Sequence, residues 1–192
     1  DGKRFNAFVQ CLLRDRQGQL WIGTQESGSS GLGLSVVTSS ERRRIPVDQS
    51  GGHSVRALFE DAQGRIWIGG DKAISVFAEG QFKIQGPAGN TELGSVRAFV
   101  QSASDGKIWA AGAQGLYRLE SEAWQEIKDS KGASLRGLNC LRVELDGTVW
   151  IGQAGVGLLR LRGGKWSMIT QEHALPARDI GMLVVTTPNG VM

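Results

Sequence analysis

The chain has 192 residues, 40% hydrophobic and 21% charged, a composition that supports a sizeable globular core. No apolar run approaches the roughly 18 residues of a membrane span, and Asp1-Gly2-Lys3-Arg4-Phe5 lacks the apolar stretch that follows the charges of a secretory signal. A formal charge of +3, without interleaved aromatics, argues against nucleic acid as a partner.

Tight turns punctuate the chain from its start. The first, RDRQGQLWIGT, contains Trp21 and recurs without gaps as EDAQGRIWIGG, SASDGKIWAAG and VELDGTVWIGQ, around Trp67, Trp109 and Trp150. A glycine lies three residues before each tryptophan (Gly18, Gly64, Gly106, Gly147), where a tight hairpin needs positive φ. Self-similarity at 46, 42 and 41 residues is the mark of a repeat architecture.

The first repeat, residues 5–52, carries an insertion from Gln25 to Gly33 that accounts for the longer first interval. Its Arg42, Arg43 and Arg44 read as a charged strand edge that resists aggregation. The second, 53–94, shows the grammar most fully: an apolar run from Ser54 to Glu60, the turn at Asp61–Gly64, then Trp67-Ile68-Gly69. In that triplet Trp and Gly share one strand face and Ile takes the other. A third strand is expected at Leu116–Leu119 in the repeat 95–136 and at Leu158–Leu161 in the repeat 137–179. Fourth strands begin near Phe82, Trp124 and Trp166. A fifth copy, 180–192, is incomplete. Four strands in about 42 residues, repeated radially, describe an all-β chain of propeller blades. The expectation is four complete antiparallel blades plus the start of a fifth, an open arc cut from a larger ring.

Cys11 and Cys140 occupy equivalent positions, matched by Ala57, Ala98 and Met182. Equivalent points three blades apart exceed the about 7 Å Cα separation of a disulfide, so both read as small buried packing residues. His53 and His173 lie singly in linkers, and no HExxH, GxSxG, P-loop or CxxC spacing occurs. GLGL at Gly31–Leu34 and AGVGLL at Ala154–Leu159 open no helix after a parallel strand and read as turns. No cofactor or metal is expected.

If the first strand of each repeat is innermost, its second position forms a column around the channel mouth: Gln10, Arg56, Arg97, Asn139 and Gly181. The flanking position is apolar (Val9, Val55, Val96, Leu138). Gln10, Arg56, Arg97 and Asn139 are therefore the candidate ligand-binding residues; arginine forks suit carboxylate, sulfate or sugar hydroxyls. The alternative is that the arginines only pair with strand carboxylates or solvate a blade face.

GQLWIGT and GRIWIGG resemble the two-component regulator propeller repeat, as does His173-Ala174-Leu175-Pro176-Ala177-Arg178-Asp179-Ile180 at the start of the fifth copy. The third copy departs with Trp109-Ala110-Ala111, and the fourth places Leu145 in its turn. The resemblance implies a ring of about seven blades in the periplasmic sensor region of a membrane receptor, ahead of a histidine kinase or diguanylate cyclase. On that reading the segment is non-catalytic, takes an oligosaccharide or other small polar or anionic ligand, packs against further blades, and is compatible with dimerisation. A streptogramin-lyase-like propeller enzyme and a protein-interaction propeller without a small ligand are the alternatives.

Overall fold

The computed structural model describes residues 8–25, 33–86, 93–170, 180–181, 186–187 and 190–191. Four sheets of four antiparallel strands follow one another along the chain, each strand paired with its sequence neighbour. Blade 1 comprises β1 (Phe8–Arg14), β2 (Leu20–Gln25), β3 (Leu34–Val37) and β4 (Arg42–Ile45). A helical turn, α1 (Val47–Ser50), leads to blade 2: β5 (Val55–Glu60), β6 (Ile66–Gly70), β7 (Ile74–Ala78) and β8 (Gln81–Gln85). Blade 3 holds β9 (Val96–Gln101), β10 (Ile108–Gly112), β11 (Leu116–Glu120) and β12 (Ala123–Ile127). Blade 4 holds β13 (Leu138–Val143), β14 (Val149–Gln153), β15 (Gly157–Arg162) and β16 (Lys165–Ile169). The hairpin β17 (Thr186–Thr187) and β18 (Gly190–Val191) begins a fifth unit. The first-blade insertion at 26–32, His173 and its flanking segment, and Met182 lie outside the described residues.

The four turn glycines adopt φ between +70° and +82°, as the hairpins require. The first strands β1, β5, β9 and β13 pack on one another in succession, which makes them the inner strands where the blades converge. The core therefore lies between blades. Trp21, Leu34 and Val36 of blade 1 bury against Val55, Ile66 and Ile68 of blade 2. Trp67 and Val76 meet Tyr117 and Trp124 of blade 3, with the indoles of Trp67 and Trp124 edge to face at 5.5 Å. Trp109 and Leu116 meet Leu138, Val143 and Ile151 of blade 4.

The glycine after each Trp-Ile pair has a steric cause. A Cβ on Gly23 would stand 2.4 Å from Cys11 Sγ and 2.9 Å from the Val55 carbonyl of the next inner strand. On Gly152 it would meet Cys140 Sγ at 2.4 Å and the Ile180 carbonyl at 2.8 Å. The cross-strand pairs balance volume: Cys11 with Gly23, Ala57 with Gly69, Ala98 with Ala111, Cys140 with Gly152. Both thiols are free, Cys11 donating to Val55 O of the next inner strand at 3.7 Å and Cys140 to Ile180 O at 3.3 Å. Cys140 is buried, whereas Cys11 is only half-buried, because the front of blade 1 is open: Phe8 is 71% and Leu12 60% exposed there. Leu58, at the matching position of blade 2, packs into the core.

Candidate functional site at the channel mouth

The inner strands do not run in simple register with their neighbours. Val9 pairs with Thr24 and Cys11 with Gly23, so Gln10 is an extra residue without a cross-strand partner. The same slip isolates Arg56 between Val55–Gly70 and Ala57–Gly69. It isolates Arg97 between Val96–Gly112 and Ala98–Ala111, and Asn139 between Leu138–Gln153 and Cys140–Gly152. Each blade thus carries a β-bulge at the second position of its inner strand. A bulge bends the strand and re-aims the extra side chain. Val55, Val96 and Leu138 are buried beside the bulges, whereas Gln10 and Arg97 are exposed and Arg56 and Asn139 half-buried.

Neighbouring bulges touch. Arg97 Nη1 donates to Asn139 Oδ1 across the junction of blades 3 and 4. The Nε of Arg56 is buried without a hydrogen-bond partner among the described residues. An unmet buried donor of this kind costs free energy until it finds an acceptor.

In blades 2 to 4 a backbone donor just beyond the second strand bonds to the crossover that delivers the inner strand: Ala73 N to Gly51 O at 3.0 Å, Ala113 N to Ser95 O at 2.9 Å, Ala154 N to Gly137 O at 2.9 Å. Gly51, at φ +79° as the C-cap of α1, has no room for a Cβ, which would lie 2.6 Å from the Ala73 carbonyl. Around the rim Arg136 Nη1 donates to Gln114 Oε1, and Gln153 Nε2 donates to Arg136 O at 2.9 Å. Gln114, Arg136 and Gln153 thus enter the polar rim without having stood out in the sequence. Their signal was positional: each lies beside the turn after a second strand or in the crossover above it.

The tryptophans use a device that reading the turns alone missed. Asp15 accepts the Trp21 indole N–H at 2.8 Å through Oδ2, while its Oδ1 accepts the backbone N–H of Gln17 and Gln19. Asp61 repeats this with Trp67, Gln63 and Arg65. Residues 3–26 and 49–72, which contain these two units, match the sequence profile described as the two-component regulator propeller. Both are two-component regulator propeller repeats.

Solved structures share the arrangement of these repeats. The extracellular domain of a hybrid two-component system of B. thetaiotaomicron superimposes with a TM-score of 0.78 over 97% of this chain and 25% of its own, at 23% identity. The extracellular domain of a one-component system of the same organism gives 0.74 over 97% and 28%, at 16% identity. Virginiamycin B lyase from Staphylococcus aureus gives 0.65 over 91% of this chain and 58% of its own, at 17% identity. The chain thus spans about a quarter of the two extracellular domains. At these identities the likeness establishes the fold, a set of propeller blades. No curated protein matches the sequence significantly.

Proposed function

We propose that this chain is a non-catalytic, extracytoplasmic ligand-sensing part of a membrane-bound two-component-type receptor. The observation that carries the reading is the recurrence of a bulge at one inner-strand position in all four blades, each bearing a polar residue. A packing role alone does not call for polar residues flanked by buried apolar ones, as Val55, Val96 and Leu138 are in blades 2 to 4. The regulator propeller match and the extracellular domains of two-component and one-component systems among the structural neighbours support the receptor context and a periplasmic location. The ligand is an oligosaccharide or other small molecule bearing acceptors, met by the guanidinium groups of Arg56 and Arg97 and the amides of Gln10 and Asn139.

Calorimetric titration with a tetragalacturonate, a carboxylate-bearing oligosaccharide, tests this directly. Replacing both Arg56 and Arg97 by Ala weakens binding by roughly a hundredfold, the effect of two lost charge-assisted contacts, while the melting curve stays in place. Unchanged affinity in the double variant returns the arginines to a structural role.

A further inference from the structure

The crossovers between blades are not alike. Between blades 1 and 2 the chain folds into α1, which packs on β7 and β8, and Ser75 Oγ donates to Gln49 O at 2.5 Å. Between blades 3 and 4 it forms a small loop instead, with Lys128 bridged to Ser134 and Asp129 N donating to Ala133 O. The strands equivalent to β7 and β8, β15 and β16, therefore lack a helical turn above them. A cleft of ≈ 380 Å³ opens there, walled by Leu135, Leu159, Trp166 and Met168 and rimmed by Asp129 and Ser134. That volume falls in the range of small-molecule sites, about 300–1,000 Å³.

The walls are pre-set. Trp166 is tethered by its indole N–H to Lys128 O at 3.2 Å. Leu159 takes the repeat position of Ser75, the residue bonded to α1 in blade 2, so the floor is apolar where its counterpart is polar. Met168 is 47% exposed and supplies a polarizable edge. Asp129 carries the only charge among the lining residues. Its Oδ1 accepts the N–H of Ala133 and Lys131, both at 2.8 Å, which leaves Oδ2 without one of these bonds. Those backbone N–H groups, Ala133 first, hold the carboxyl below the ordinary carboxylate range, so it is ionised at neutral pH.

We propose that this cleft binds a small organic ammonium ion, its apolar body against Leu159, Trp166 and Met168 and its N–H donors on Asp129 and Ser134. An ionised acceptor beside an indole and a thioether favours a cation with an apolar stem over a neutral molecule of the same shape. The cleft shares Gln153 with the polar rim but none of the four bulge residues, and it stands or falls without them.

The test is titration of the full chain with phenethylammonium and with its neutral isostere 2-phenylethanol, read on the assigned indole N–H resonance of Trp166. The ammonium shifts that resonance saturably below about 10 mM, and the alcohol binds at least roughly tenfold more weakly. Asp129→Asn keeps an oxygen for the turn bonds and loses roughly tenfold in ammonium affinity, while the Arg56, Arg97 double variant binds it normally. Ser167→Lys, which leaves the turn untouched and adds a like charge at the cleft, also weakens the ammonium. Equal binding of alcohol and ammonium, full affinity in both Asp129→Asn and Ser167→Lys, or no shift of Trp166 overturns the proposal.

Discussion

Blades 1 and 2 hold their central tryptophan differently from blades 3 and 4. In the first pair a buried aspartate grips the indole N–H, and the residue across from the ring on the third strand is Val36 or Val76. In the second pair the turn is closed by Ser102, in a hairpin one residue longer, or by Glu144 in place of the aspartate, and the facing residue becomes Arg118 or Arg160. Their guanidinium carbons lie 5.2 Å and 5.6 Å from the ring centroids of Trp109 and Trp150. The Trp109 N–H is left buried without a partner among the described residues. The repeat therefore tolerates loss of the carboxylate at the ring's edge, whereas a cation over the ring's face is shared with blade 2, where the Arg65 guanidinium carbon lies 5.1 Å from the Trp67 centroid. The bulge at the channel mouth, in contrast, is kept in all four blades. What varies is how the ring is held; what persists is the bulge that sets a polar residue out of the inner-strand register.

The largest effect separating the two halves falls on the aspartate. Asp61 is fully buried and accepts four hydrogen bonds, including one from Arg65 Nε at 2.6 Å. Asp61→Ala lowers the unfolding free energy by about 3 kcal/mol, because charged hydrogen bonds are lost and buried donors orphaned. Ser102→Ala, at the equivalent turn of blade 3, costs about 1 kcal/mol, the loss of turn contacts to the exposed Ser104 hydroxyl and Asp105 carboxylate. Urea unfolding of the two variants checks the difference, and equal costs would erase the distinction between the halves.

A smaller contrast concerns the glycine beside the ring. Gly23→Ala meets Cys11 Sγ and Val55 within 2.9 Å, whereas Gly69→Ala meets nothing closer than 3.0 Å. The first substitution costs about 2 kcal/mol and the second about 1 kcal/mol, again by chemical denaturation. Cys11→Ala added to Gly23→Ala recreates the Ala98–Ala111 pairing of blade 3 and recovers part of the loss. The smallest effect is Arg118→Met, which removes the guanidinium over Trp109 and lowers stability by about 0.5–1 kcal/mol.

The blade period, the strand order and the inner position of the first strand were legible in the sequence, because hairpin turns demand Gly18, Gly64, Gly106 and Gly147 at fixed distance from tryptophan. The small residues Cys11, Ala57, Ala98 and Cys140 also announced themselves, since only small volumes fit beside the axis. The candidate ring was legible as a column of polar residues, but not its mechanism. A bulge leaves no compositional trace; it appears only when cross-strand partners are counted. Asp15 and Asp61 read as turn formers because their local backbone bonds explain them fully, and the indole bond six residues on is a tertiary fact. The cleft beside Trp166 was beyond reach for a similar reason, since it depends on a crossover that lacks the helical turn found at α1.

The account rests most heavily on the bulges aiming the second inner-strand residue into the channel mouth. Single cysteines placed at Arg56, Arg97 and Asn139, in a chain whose Cys11 and Cys140 are changed to Ala, measure this by their rate of reaction with a charged methanethiosulfonate reagent. The native thiols offer little background even if kept: burial pushes Cys11 up to about 12, and burial likewise raises Cys140. The account predicts fast labelling at positions 56, 97 and 139 and protection at the flanking Val55, Val96 and Leu138 when those are made cysteine instead. Protection at 56, 97 and 139 with rapid labelling at 55, 96 and 138 would mean that the side chains point the other way, and would contradict it.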